Sequence, residues 1–225
     1  MPALPATLAA IEDWLEDSHS REASGDYADL KLEPVHRLLA HLPRPPRPVT
    51  LAGTKGKGST LRLLESILLA HGAATVAFTS PHVSALNERW RLDGVPAAVT
   101  ELAPAVRAVQ AAEAAAGIRV TYFERCFAIA VALAAARPAA WFLCEVGLGG
   151  RLDCANALDT RLAICTHISR DHCHILGDTL AAIAGEKLAI ARRDAPLLIA
   201  PQSAAAAAAI AARLPGGIAV TRIDP

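Results

Sequence analysis

Residues 49–60 read Val49-Thr50-Leu51-Ala52-Gly53-Thr54-Lys55-Gly56-Lys57-Gly58-Ser59-Thr60. The apolar start of this stretch has the look of a buried strand. Gly53, Gly56 and Gly58 follow closely, with Lys55 and Lys57 among them, and the run LRLLESILLA behind them is helix-like. Strand, glycine-rich turn and helix is the context in which backbone N–H groups converge on a phosphate. The helix start adds partial positive charge, a lysine reaches the outer phosphates, and a hydroxyl can sit on a bound Mg²⁺. The general phosphate-loop pattern is met incompletely. Leu51 stands where that pattern has its first glycine, and Gly58 where it has Ser or Thr, with Ser59 and Thr60 just behind. Nucleotide binding therefore competes with a plain glycine turn in a parallel sheet. Lys57 opens the helix and is the favoured phosphate lysine, while Lys55 is open to being a solvated loop charge.

The 225 residues suffice for one large domain or two small ones, and 53% of them are hydrophobic. Lys plus Arg equals Asp plus Glu at 22 each, which argues against a general nucleic-acid surface. Few aromatics are present, so single-strand stacking platforms are disfavoured as well. Five scattered cysteines without a C-x-x-C pair suggest a reducing compartment. The acidic N-terminal stretch lacks the pattern of a signal peptide, and the apolar run at 126–136 is too short to span a bilayer. A soluble cytoplasmic protein is the expectation, without a membrane or nucleic-acid partner.

Outward from the glycine loop, residues 5–17 carry apolar positions at helical spacing, 18–32 read as a loop, and Glu33-Pro34 starts a short helix to about Ala40. Four prolines at 43–48 form a stiff connector. The expected organisation is an N-terminal extension over 1–47 packed on a core domain over 48–225. Beyond the loop, strands are expected at 74–79, 140–146, within 161–169, at 196–200 and at 218–221. Between them, 83–98 reads as a long loop or hairpin and 100–116 as a helix. Thr121 and Glu124 have the spacing of a capping box for a buried helix to about 136. Residues 171–177 read as a polar turn, Asp178 and Thr179 start a helix to about Arg192, and 203–213 is an alanine-rich helix. Strands alternating with helices predict an α/β fold with a doubly wound, mostly parallel sheet.

In such a sheet ligands bind beyond the carboxyl ends of the strands. Each polar cluster follows such an end: 53–59, 80–82, 145–153 and 167–174. One cleft with a phosphate loop, a hydroxyl, a carboxylate and an imidazole is the expectation. Glu145 near a strand end is costly unless paired or metal-bound. A zinc site from His167, His172, Cys173 and His174 is the weaker rival, because chain neighbours point in different directions.

The segments GTKGKGST, TSPHVSALNERWRLDG, TYFE, EVGLGGRLDCAN, RDHCHILGDTLAAIAGEKLAI and the PQ at 201–202 occur in order. Together they resemble the folylpolyglutamate synthase/dihydrofolate synthase family of the Mur ligase superfamily, over about residues 33–202. The resemblance implies an ATP-dependent ligase that joins L-glutamate to dihydropteroate or a folate through an acyl phosphate. It implies that Gly53, Thr54, Gly56, Lys57, Gly58, Ser59 and Thr60 hold ATP. It implies Ser80 and Glu145 on one Mg²⁺, Glu145 and His172 on a second, and Lys187 as a carbamylated lysine. Lys57, Glu145, His172 and Lys187 are thus the implied catalytic set, with Thr121, Phe123 and Asp153 lining a pterin pocket. Read from the residues alone, Lys187 is an ordinary surface lysine in a helix.

Lys55 replaces the asparagine usual in that pattern, Arg170 a usually apolar residue, Arg125 an apolar position in the buried helix, and Ala155 a threonine. Family members are much longer, so a C-terminal Rossmann-like domain that closes the cleft is expected to be missing here or supplied by a second polypeptide. The expectation is Mg-ATP binding with weak or no ligation by this chain alone. The alternatives are a non-catalytic ATP- or pterin-binding relative and a Mur-type ligase for another acid.

Overall fold

The computed structural model describes residues 5–20, 27 and 30–223. Much of the loop expected over 18–32 lies outside the described residues. The stretch at 49–60 becomes strand β1 (Pro48–Ala52), buried at every position, and helix α3 (Lys57–Ala70), which starts on Gly56 in the left-handed region. Ahead of them lie α1 (Leu8–Glu16), capped by the Thr7 hydroxyl, and α2 (Glu33–Leu39), with a proline in its first turn.

After α3 come β2 (Thr75–Phe78), a 3-10 turn (Leu86–Arg89), and the short strands β3 (Trp90–Leu92) and β4 (Val95–Pro96). Helices α4 (Val99–Ala116) and α5 (Tyr122–Ala135) lead to β5 (Trp141–Glu145), a second 3-10 turn (Cys154–Ala157) and β6 (Leu162–Cys165). The chain finishes with α6 (Cys173–Leu176), α7 (Leu180–Leu188), β7 (Leu197–Ile199), α8 (Ala204–Arg213) and β8 (Val220–Arg222).

Among the described residues the sheet has eight strands in the order β4-β3-β2-β5-β1-β6-β7-β8. The six from β2 to β8 run parallel, and β3 and β4 add an antiparallel edge. That edge is the hairpin alternative for 83–98. Alternate strand residues point to opposite faces. Val49, Leu51, Leu143 and Ile164 pack with Leu61 of α3 on one face. Phe78, Phe142, Cys144, Cys165 and Leu197 join α5, α7 and α8 on the other, in the same cluster as Ile11, Leu15, Val35 and Leu38 of the N-terminal helices.

Three local expectations need correction. The turn at 171–177 contains a single helical turn, α6, entered through His172 at φ 49°. Helix α7 ends at Leu188 rather than near Arg192, because Arg192 folds back: its Nη1 donates to the Ala189 carbonyl at 3.0 Å and its Nη2 to Asn156 Oδ1 at 2.7 Å. The last strand lies at Val220–Arg222, shifted from 218–221, in register with β7.

Arg125, a misfit in an apolar helix, is buried and paired. Its Nε and Nη2 donate to the two oxygens of Glu113 at 3.0 and 3.2 Å, and its Nη1 donates to the Trp14 carbonyl at 2.5 Å. Its guanidinium also lies 4.5 Å from the Trp14 ring centroid. Glu113 in turn accepts from the Val120 N–H. This ties α1 to the loop that leads into α5. Removing one partner leaves the other buried and uncompensated, at a cost of about 3–5 kcal/mol. Arg125→Met is therefore expected to destabilise by that amount in urea unfolding. The pair Arg125→Met/Glu113→Gln is expected to recover most of it, and equal losses would contradict this reading.

Candidate nucleotide and metal site

Parallel register sets the geometry. Leu51 lies opposite Glu145, Ala52 opposite Cys165, and Phe78 opposite Cys144. The carboxyl ends of β1, β2, β5 and β6 are therefore level, and the four polar clusters leave the sheet on one side. β1 is the strand at which the connections diverge, the place where an open α/β sheet offers a crevice.

The glycine loop is locked to the segment leaving β6. The Thr54 N–H donates to the His167 carbonyl at 2.8 Å, and the Thr54 hydroxyl donates to the Ser169 carbonyl at 3.0 Å while facing the Ser169 N–H at 3.1 Å. The Thr166 hydroxyl donates to the Lys55 carbonyl at 2.9 Å. Gln202 fixes the same segment from beyond β7, accepting from the Ile168 N–H and donating to the Thr166 carbonyl, both at 2.9 Å. The approach is so close that a Cβ on Gly53 would lie 1.8 Å from the Thr166 hydroxyl. The Thr54 side chain, expected at the phosphates, is thus engaged in holding the loop.

Lys57 Nζ lies 3.9 Å from Glu145 Oε1, and both side chains are largely buried. A Cβ on Gly58 would approach Glu145 Oε2 to 3.3 Å. A side chain directly after Lys57 would press on that carboxylate, and the hydroxyls of Ser59 and Thr60 stand one and two places later. Burial raises the Glu145 pKa, opposed by Lys57 and the Ser80 N–H. A carboxylate held so sparsely inside the protein suits a cation.

A cavity of about 350 Å³ opens beside Glu145, lined by Ser80, Thr121, Phe123, Asp153 and His172 among others. The Thr121 hydroxyl caps α5 by accepting from the Glu124 N–H, which leaves its own proton free to donate. Phe123 rests on Phe78, ring centroids 5.8 Å apart. Asp153 accepts from the N–H groups of Gly147, Leu148 and Ala155, and burial nonetheless pushes its pKa up to about 6. A carboxylate has about four acceptor positions, so one remains for a ligand. Tyr27, Leu30, Leu148 and Leu152 also line the cavity. The three leucines were missed because apolar lining residues carry no chemical signature in a sequence.

Lys187 is buried rather than on the surface. Its Nζ donates to the Gly53 carbonyl at 3.0 Å, and burial together with nearby Lys57 lowers its pKa to about 8. His172 Nε2 lies 3.9 Å from Asp171 Oδ1, at half-exposed positions. Among the described residues no three His, Cys, Asp or Glu side chains cluster as a metal cage, so the zinc alternative finds no support there. Ser80, Glu145 and His172 instead offer a hydroxyl, a carboxylate and an imidazole. A partial set of this kind could hold a divalent cation. Among the described residues no helix is long and apolar enough to cross a membrane.

Fold and site together define a phosphate-loop α/β domain of the Mur ligase ATPase type. No protein-family model matches the chain. The dihydrofolate synthase/folylpolyglutamate synthase of Haemophilus influenzae is 38% identical over 194 residues, covering 85% of this chain and 43% of that protein. The structure of Escherichia coli FolC in complex with DHPP and ADP superposes with a TM-score of 0.84 at 32% identity, covering 99% of this chain and 52% of that one. The Yersinia pestis bifunctional folylpolyglutamate synthase/dihydrofolate synthase with AMPPNP and Mn gives a TM-score of 0.82 at 32% identity, over 99% of this chain and 53% of that one. The chain belongs to the folylpolyglutamate synthase/dihydrofolate synthase family and spans about half the length of these relatives.

Lys187 gives the site a measurable signature. Its folded pKa lies below its ordinary value, so the stability linked to it is present above pH 10.5 and is lost as pH falls through about 8. Wild-type stability is expected to rise between those values relative to Lys187→Met in urea titrations. Parallel profiles for the two proteins would refute the assignment.

Proposed function

We propose that this chain is the nucleotide- and acid-binding part of an ATP-dependent ligase that joins L-glutamate to dihydropteroate or a folate. The carrying observation is the convergence of Lys57, Glu145 and the cavity lined by Ser80, Thr121, Phe123, Asp153 and His172 at the carboxyl ends of the central strands. Relatives of matching fold were solved with DHPP and ADP, and with Mn, AMPPNP and L-glutamate. Their ligands are the classes proposed here.

In this reading the backbone of Gly53, Thr54, Gly56 and Gly58, with Ser59 and Thr60 at the helix start, surrounds the ATP phosphates, and Lys57 neutralises the outer ones. The Phe123 ring faces a flat heterocycle, while Asp153 accepts from one of its N–H groups and Thr121 donates to it. The acid is thereby held with its carboxylate toward the phosphate loop. Transfer of the terminal phosphoryl group to that carboxylate gives an acyl phosphate and ADP. The glutamate amine then attacks the acyl carbon, phosphate leaves, and the amine gives up a proton. Catalysis is mainly positioning and charge neutralisation.

Ser80 and Glu145 would hold one Mg²⁺, and Glu145 and His172 a second. When bound, the ions supply neutralisation of the phosphate charge. Lys187, with its lowered pKa and buried amine, has a substantial neutral fraction near pH 7.5. The neutral amine can add CO₂ and lose a proton, giving a carbamate anion beside the loop.

Titration calorimetry with Mg-ATP tests the reading. The wild-type chain is expected to bind, and Lys57→Ala to bind about 10–100-fold more weakly, the range for a lost charge-assisted contact. Glutamate-dependent product formation from dihydropteroate or tetrahydrofolate is expected to be weak or undetectable for the chain alone. Absence of Mg-ATP binding would refute the proposal, and robust turnover would refute the restriction to binding.

A further inference from the structure

Glu145 is placed by the end of β5, but Ser80 stands in a loop, two residues beyond the end of β2 at Phe78. The Ser80 N–H faces Glu145. Where its hydroxyl lies depends on how the chain is held on either side. A serine side chain is too short to make up for a misplaced backbone, and a metal ligand has to be held within about 0.5 Å.

One residue, Arg89, holds both flanks of Ser80. Its carbonyl accepts from the Thr79 N–H at 3.0 Å, and its Nε donates to His82 Nδ1 at 2.9 Å. Glu88 fixes the rest of the loop: its carboxylate accepts from the N–H groups of Val83, Ser84 and Ala85 at 2.8, 3.2 and 3.2 Å. Arg89 is buried, and its guanidinium lies 5.3 Å from the Tyr122 ring centroid. An arginine can do both at once, because its donors lie in the guanidinium plane while the plane's face meets the ring. Tyr122 stands between Thr121 and Phe123, which line the same cavity as Ser80. The Ser80 loop is thereby braced against the start of α5. His82 is half-buried, and its Nδ1 serves as the acceptor, so the neutral ring carries its proton on Nε2.

We propose that Arg89 is a positioning residue for the metal: through His82 and Thr79 it sets the Ser80 hydroxyl beside Glu145, where a divalent cation is bound. Arg89 acts on the backbone around Ser80 and is assigned no contact with metal, nucleotide or acid. This rests on the reading of Ser80 as a metal ligand. A lysine at position 89 would be a poor replacement, because a point charge on a flexible stem cannot both donate in one plane and stack on Tyr122. An asparagine at position 82 would be a good one, because its Oδ1 offers an acceptor near the place of the imidazole Nδ1.

Calorimetric titration with AMPPNP, in Mn²⁺ and in EDTA, tests this on the wild-type chain and on Arg89→Lys, His82→Leu, His82→Asn, Ser80→Ala and Ser80→Ala/His82→Leu. His82→Leu breaks the link from the half-buried side, so the test does not depend on the buried arginine variant folding. Arg89→Lys and His82→Leu are each expected to lose about three- to tenfold in affinity with Mn²⁺, as for one lost hydrogen bond, and less than about twofold in EDTA. His82→Asn should recover most of the loss. Ser80→Ala should also weaken binding with Mn²⁺, and adding His82→Leu to it should cost less than about twofold more, because the link then has no ligand to place. Equal losses from His82→Leu with and without the Ser80 hydroxyl, or equal losses in Mn²⁺ and EDTA, would show a purely structural role and overturn the proposal while leaving Ser80 as a ligand. Unchanged Mn²⁺-dependent affinity in Ser80→Ala would overturn the reading of Ser80 itself, and the proposal with it.

Discussion

The site depends on β1 lying between β5 and β6 in parallel register. Leu51 opposite Glu145 and Ala52 opposite Cys165 place the glycine loop, a buried carboxylate and the His167–His172 segment at one height. The contact between Thr54 and Ser169 then fixes the loop against its neighbour, and Gln202 braces that neighbour from the next strand. The side chains that do this are polar yet are used inside the protein. This is why the loop can be shaped before any phosphate arrives.

Buried charge is the second theme. Glu113 with Arg125, and Glu65 with Arg91, are inner pairs whose carboxylates also accept backbone N–H groups, so their charge is compensated. Glu145, Asp153 and Lys187 are different. Burial moves all three toward their neutral forms. Groups perturbed in this way, gathered at the mouth of a crevice, mark a place where the protein sustains a desolvation cost that a ligand or a metal can offset.

Much of this was legible in the sequence because strand ends announce themselves. An apolar run followed at once by Gly, Ser, Glu or His is readable four times over, and strand–helix alternation supplies the parallel sheet. The Thr121 cap was readable from Thr and Glu three apart, and it stands in the structure. Other features needed the third dimension. Arg125 looked out of place until Glu113 and Trp14, both distant in the chain, were seen around it. Lys187 has the sequence context of a surface lysine, and only packing of α7 behind the glycine loop buries it. The early end of α7 comes from Arg192 reaching Asn156, a contact no local pattern encodes. The apolar wall of the cavity, Leu148 and Leu152 included, was invisible because such residues look the same in a core.

The central claim is that one crevice holds phosphates, metal and a flat acid together. A crystal of this chain soaked with Mn²⁺, AMPPNP and dihydropteroate, with anomalous scattering from the manganese, tests it most directly. The account predicts manganese beside Ser80, Glu145 and His172, triphosphate over residues 53–59 and the heterocycle against Phe123. Manganese or nucleotide bound elsewhere, with residues 53–59 and the Phe123 cavity empty, would contradict it.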